Sequence, residues 1–388
     1  MNEQDVLGEV RALAPTLRGR AAEAEASCRI PEATIKDMES AGFFHLTQPR
    51  RYGGLGADPV IFLDCERELA RGCGSTGWVA GVYGVNSWLL AQYDLQAQDE
   101  VWGADRHARI CSSIAPVGKV TRVTGGYTLS GRWSFSSGSD HASWTMLGGL
   151  VRDDDGKPIE MRHFLLPRSA YRVDPVWDTI GLRGTGSNDV VVLDAFVPSH
   201  RTIGMQELGS PHRPGLAVNP DPAYRIPMGS IFTTSISVAI VGAAEAAYDA
   251  YLDVTRDRIR VSLTKVAEDP FAQVRIGRAA SDIDAAWLQL TRNVADLYTC
   301  AQRDEQPPLA LRTRVRRDQV IATERAVGAV DLLMENAGGS AMRTGDNVLQ
   351  RAWRDVHTGR GHITNDPERA LVLFGRNALG LEVSDPML

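Results

Sequence analysis

Cysteine is scarce in this chain. Its five residues, Cys28, Cys65, Cys73, Cys111 and Cys300, form an odd, scattered set with no C-x-x-C pair. That excludes a disulfide framework or a zinc ribbon and fits buried free thiols in a reducing compartment. A clean hydrophobic run is missing too. The most apolar segment, Ser230 to Ala247, is broken by Thr233, Thr234, Ser235, Ser237 and Glu245, so it reads as a helix buried inside protein and not as a membrane span. The start, Met1 to Arg11, carries Glu3, Asp5 and Glu9 and has no signal-peptide core. A net charge of −6 without a basic stripe argues against nucleic acid. The expected setting is cytoplasmic, with neither membrane nor nucleic acid as a partner.

Familiar catalytic motifs are absent as well. There is no P-loop, no G-x-S-x-G elbow and no H-E-x-x-H. The loop Tyr52-Gly-Gly-Leu-Gly56 lacks the third glycine of a dinucleotide fingerprint. Ser139, Asp140 and His141 are sequence neighbours and cannot converge as triad members do. His357 and His362 are five apart, off the three- or four-residue spacing of one helical face, so no metal site is expected.

What is present is the make-up of a globular protein. The 388 residues are 43% hydrophobic and 23% charged, enough for two or three domains or one large unit. From Asp5 to about Arg106 the pattern is helical, with Val6, Val10, Leu13 and Leu17 on one stripe. Pro31 opens a second helix that Gly42 ends, and Ile61–Arg71 and Thr76–Tyr93 read as two more. From His107 to Arg201 short β-rich runs (Lys119–Val123, Tyr127–Leu129, Trp144–Val151, Arg162–Leu166, Asp189–Leu193) are separated by turn residues, with Gly125-Gly126 as a hairpin signal. These predict a compact antiparallel barrel or sandwich. Beyond Ile226 the runs Ser230–Ile259, Pro270–Cys300 and Arg312–Asn336 predict long helices of a four-helix-type bundle.

Three segments combine glycine with small polar residues: Cys111-Ser-Ser-Ile-Ala-Pro-Val-Gly118, Gly131-Arg-Trp-Ser-Phe-Ser-Ser-Gly138 and Gly181-Leu-Arg-Gly-Thr-Gly-Ser-Asn-Asp189. In this order they resemble the acyl-CoA dehydrogenase superfamily, and Gly181–Pro198 is similar to its G-x-R-x-[ST] segment before a strand ending in V-P. The resemblance implies a fold that is α+β but mainly α: an N-terminal helical domain (1–106), a middle β-barrel or sandwich (107–215) and a C-terminal four-helix bundle (216–388). The wording QPRRYGGL, CGSTGW, SGRWSFSSG and NDPERA resembles the two-component flavin monooxygenase branch, the type that hydroxylates phenolic and polycyclic rings. Where thioester-oxidising members carry Glu before Gly-Thr, this chain reads Gly361-His362-Ile363-Thr364. An imidazole there suits phenol proton chemistry better than α-proton abstraction.

The branch implies an oxygenase subunit that takes reduced FMN (FAD being possible) from a separate NAD(P)H-dependent flavin reductase and uses O2, through a C4a-hydroperoxyflavin, on a small aromatic substrate. It implies His362 as the proton-handling group, with Asn86 and Trp88 beside the substrate; Asn86 stands where some relatives keep a second histidine. Ser112 or Ser113 would hold the ring's polar edge, and Ser136 or Ser137 would sit near N5. Trp133 and Phe135 would pack on the ring, Thr364 would line the cofactor site and Arg258 would pair with the phosphate. Gly338 and Gly339 would touch a neighbouring subunit's cofactor, which implies a homotetramer. Alternatives open at this point are an acyl-CoA dehydrogenase with FAD, an N-oxygenase of an amino sugar, and a catalytically dead scaffold.

Overall fold

The first helix starts on Asn2, whose side chain accepts from the backbone of Gln4 and Asp5 while Asp5 reaches back to the Asn2 N–H. In the computed structural model, which describes residues 1–259, 262–385 and 388, α1 (Glu3–Ser27) buries Val6, Val10 and Leu17 as the spacing predicts. Pro31 precedes α2 (Glu32–Ser40), and Asp58 caps α3 (Pro59–Gly72). The next helix, α4 (Gly74–Leu90), is buried nearly all round. It lies so close to α3 that a Cβ at Gly77 would strike Ala70, and one at Gly84 would strike Phe62. One-turn α5 (Leu95–Gln98) leads into the β region.

The strands are β1 (Ile110–Val123), β2 (Gly126–Ser136), β3 (Trp144–Arg152), β4 (Pro158–Pro167), β5 (Arg172–Asp174), β6 (Asn188–Pro198) and β7 (Thr202–Gly204), in the order β5-β6-β2-β1-β3-β4-β7. The expected wholly antiparallel arrangement is corrected here, because β1 and β3 run parallel, with Ile110 opposite Trp144 and Ser113 opposite Leu147. The tight turn at Gly125 sends β2 back along β1, so β2 ends beside the start of β1. The chain then crosses that end of the sheet to begin β3, and this crossing carries Ser137–Ser143. Side chains alternate as a two-residue period requires. Leu129, Trp133, Leu147, Phe164, Leu166, Val190 and Val192 form the sheet's own core, while Met146, Leu165 and Ile203 face the helices.

After the one-turn α6 (Met205–Leu208) come α7 (Met228–Asp257), α8 (Pro270–Gln302), α9 (Leu309–Met334), α10 (Val348–Arg360) and α11 (Pro367–Ala378). The apolar α7 is buried along most of its length, as its broken hydrophobic run predicts. Because α3 and α4 pack on α7, the N-terminal helices and the bundle share one hydrophobic core. The sheet closes one end of that contact, and the site lies where all three meet.

Candidate active site

Two short segments build one wall. At the end of β2, Phe135 has φ +66°, which swings its ring outward to 71% exposure, edge-on to Trp177 at 6.2 Å. The next two residues turn inward. Ser136 Oγ is buried and has no hydrogen-bond partner among the described residues. Ser137 Oγ accepts from Trp78 Nε1 at 3.1 Å and lies 2.7 Å from Ser187 Oγ. Ser187 lies in the glycine-rich loop before β6, and that loop is stitched on both sides. Gly138 N donates to Thr185 O at 2.8 Å, and Leu182 N donates to Asp355 Oδ1 on α10 at 2.6 Å. Burial raises the Asp355 carboxyl to about 6. Ser113 belongs to the same wall, its hydroxyl donating to Ser134 O at 2.7 Å, and Ser112 precedes it on β1.

The facing wall is helical. His362 follows α10 and packs edge-on between Trp78 of α4 (centroids 5.7 Å) and Phe232 of α7 (6.0 Å). Trp78 therefore touches both the serine and the histidine. Thr364 N donates to His362 Nδ1 at 3.3 Å, and the Thr364 hydroxyl lies 2.8 Å from the same atom. With Nδ1 accepting, the proton of the neutral ring sits on Nε2. Burial pushes the imidazole down to about 4, so it is neutral at physiological pH. The segment is held from behind: Asn365 donates to Gly359 O at 2.9 Å and accepts from Gln319 at 2.6 Å, and Arg316 donates to Thr364 O at 3.2 Å. Deeper between the helices, Glu66 of α3 accepts from Ser235 Oγ at 2.9 Å, and its second oxygen is buried without a partner among the described residues. Burial drives this carboxyl well above its usual range, which favours its neutral form.

Other expected residues are placed elsewhere. Trp133 is corrected outright. It is fully buried in the sheet's own core with Nε1 bonded to Gly148 O at 2.8 Å, so it has no face left for a cofactor ring. Asn86 and Trp88 lie about 12 and 15 Å along α4 from Trp78. Asn86 donates to Ile110 O and Trp88 to Ala223 O, each at 2.8 Å, and Trp88 lines a small apolar cavity with Phe62, Val85, Tyr224 and Ile231. Arg258 sits just past the far end of α7, about 39 Å from Phe232 along the axis. It donates to Asn336 O at 2.8 Å and to Ala337 O at 2.6 Å, against Gly338, whose φ of +76° and missing side chain make room for the guanidinium. Gly339 follows directly.

The site therefore joins a serine-lined end of the sheet to an aromatic, histidine-bearing helix junction. A family profile described as "Acyl-CoA dehydrogenase, N-terminal domain" matches residues 2–104, and one described as "Acyl-CoA dehydrogenase, C-terminal domain" matches residues 234–367. The flavin-dependent monooxygenase oxygenase subunit HsaA of Rhodococcus jostii is 50% identical over 379 residues, 97% of this chain and 99% of that protein. HsaA of Mycobacterium tuberculosis is 47% identical over 387 residues, 99% and 98% of the two chains. The crystal structure of 3-HSA hydroxylase from Rhodococcus sp. RHA1 matches with a TM-score of 0.96 at 50% identity, covering 99% of each chain.

The chain belongs to the acyl-CoA dehydrogenase superfamily. Within it, the protein is the oxygenase component of a two-component flavin-dependent monooxygenase that hydroxylates aromatic rings with reduced flavin and O2. The wall fits a flavin. Ser136 Oγ is an orphaned polar atom, Ser137 keeps an unused lone pair, and the outward Phe135–Trp177 pair offers aromatic surface beside them. Sequence reasoning missed Trp78, Phe232 and Ser187. Trp78 and Ser187 lay inside the quoted motifs CGSTGW and GLRGTGSND, but nothing in helical periodicity separates a site tryptophan from a core one.

Proposed function

We infer that the protein hydroxylates a phenolic ring, and that His362 positions the phenolic oxygen by donating from Nε2 between Trp78 and Phe232. Reduced flavin, when bound, supplies the electrons that activate O2. The chain's own residues bind it, exclude water and orient the substrate. Ser136 or Ser137 holds the N5 edge, and Ser112 or Ser113 takes the polar edge of the ring. Thr364 acts through His362 by occupying Nδ1. Asn86 and Trp88 shape the far end of the substrate space next to the apolar cavity. The aromatic and apolar lining favours a phenol over an amino sugar.

One observation carries this reading: a neutral imidazole, its Nε2 without a hydrogen bond among the described residues, stands one tryptophan away from the serine wall. It departs from the expectation that His362 takes the phenol proton, since the proton already occupies the nitrogen left for substrate. Reduced FMN from a separate reductase and a homotetramer complete the proposal. Arg258 and Gly338–Gly339 lie too far along α7 to meet their own subunit's flavin ring, which supports a role across a subunit interface. Exposed Phe271, Val274 and Leu288 on α8 supply apolar surface for such an assembly. His362→Ala should keep the fold and reduced-FMN binding while product formation falls at least about tenfold and H2O2 rises. Unchanged coupling of flavin oxidation to product would remove His362 from the chemistry.

A further inference from the structure

The hydroxyls behind the serine wall have a direction that their two ends impose. Trp78 Nε1 can only donate, and it donates to Ser137 Oγ at 3.1 Å. At the other end the Leu182 carbonyl can only accept, and Thr185 Oγ1 donates to it at 2.8 Å, the shortest of three donors on that oxygen beside Trp177 Nε1 at 2.9 Å and Thr185 N at 3.1 Å. Between them Thr185 Oγ1 meets Ser187 Oγ at 2.7 Å, and Ser187 Oγ meets Ser137 Oγ at 2.7 Å. Each hydroxyl has one proton. Thr185 spends its own on Leu182, so Ser187 must donate to Thr185, and Ser137 must donate to Ser187. All four side chains are buried, so no solvent competes for these protons. Ser137 Oγ is left with no proton to give and one lone pair free.

We propose that Trp78, Ser187 and Thr185 are positioning residues that make the site read the oxidation state of flavin N5. This rests on the serine pair proposed above to hold the N5 edge, with Ser137 as the member that meets N5. Reduced flavin carries N5–H, which the free lone pair accepts. Oxidised flavin presents a bare N5 lone pair to an oxygen that cannot donate, so two acceptors face each other. Spent flavin is thereby released and reduced flavin retained.

The test is the dissociation constants of FMNH2, measured anaerobically, and of FMN for the wild type, Ser187→Ala, Thr185→Val, Thr185→Ser and Ser137→Ala. Ser187→Ala and Thr185→Val free the Ser137 proton to reach N5. Both should narrow the oxidised-to-reduced ratio about tenfold, the worth of one net hydrogen bond. The midpoint potential of bound FMN should fall by about 30 mV with it, the two-electron equivalent of that ratio. Thr185→Ser restores the hydroxyl and should keep the wild-type ratio, which separates the effect from loop damage. If Ser137→Ala weakens FMNH2 binding but Ser187→Ala and Thr185→Val lower both affinities equally, the directional inference fails alone. If Ser137→Ala changes neither affinity, the N5 placement itself is wrong.

Discussion

His362 should remain neutral, with its proton on Nε2, across the whole working pH range. Its burial between Trp78 and Phe232 moves the imidazole from its ordinary 6.5 to about 4, which places roughly 3 kcal/mol against the charged form. At pH 6 only about 1 in 100 rings would be charged. Two donors from Thr364 converge on Nδ1 and hold the tautomer. Thr364→Val removes the hydroxyl donor and keeps the backbone one. The Nε2–H preference should then fall by about 1 kcal/mol, roughly fivefold, without being abolished. Imidazole ¹⁵N NMR measures both quantities, with the signal assigned by its loss in His362→Gln. Coupling of flavin oxidation to product should also show no break near 6.5 that disappears in His362→Gln. A midpoint near 6.5, or a proton found on Nδ1 in the wild type, would refute the argument. It would return His362 to the role of a general base.

Two other buried groups make opposite pH predictions. His163 on β4 is fully buried with neither nitrogen partnered among the described residues, and burial holds it at about 4. The unfolded chain therefore binds a proton that the fold refuses, and stability falls as pH drops from 6.5 towards 4. His163→Leu should remove roughly 2 kcal/mol of that loss, read as a smaller drop in unfolding free energy between urea titrations at pH 7 and pH 4.5. Glu66 runs the other way. Its raised folded value means that the fold keeps a proton which the unfolded chain releases above about 4.5, so wild-type stability declines as pH rises. Glu66→Gln should lose that decline, worth about 1.4 kcal/mol per pH unit while only the unfolded form ionises; parallel slopes for the two proteins as pH rises from 5 would disprove the raised carboxyl.

Most of the architecture was legible because it follows from local pattern. The stripe Val6, Val10, Leu17 and the long runs after Met228 became helices, and Gly125 made its turn. The parallel β1–β3 pairing was not legible, since periodicity shows that a strand exists but not which neighbour it meets. The same limit governs the site. His362, Ser136 and Ser137 stand in short segments with distinctive wording, so resemblance could propose them, and the fold gathers those segments at one junction. Trp133 misled because a β-strand alternates faces, and its face proved to be the sheet's interior. Trp78 looked like any buried residue of an apolar helix, yet its indole N–H and its ring face different walls. Its importance arises only when α4, the β2 end and the segment after α10 converge, three places separated by up to 284 positions between residues 78 and 362. A residue that joins walls carries no local signature. The hydroxyl line behind Ser137 makes the same point more sharply, because its direction belongs to no single residue and is settled by a tryptophan at one end and a backbone carbonyl at the other.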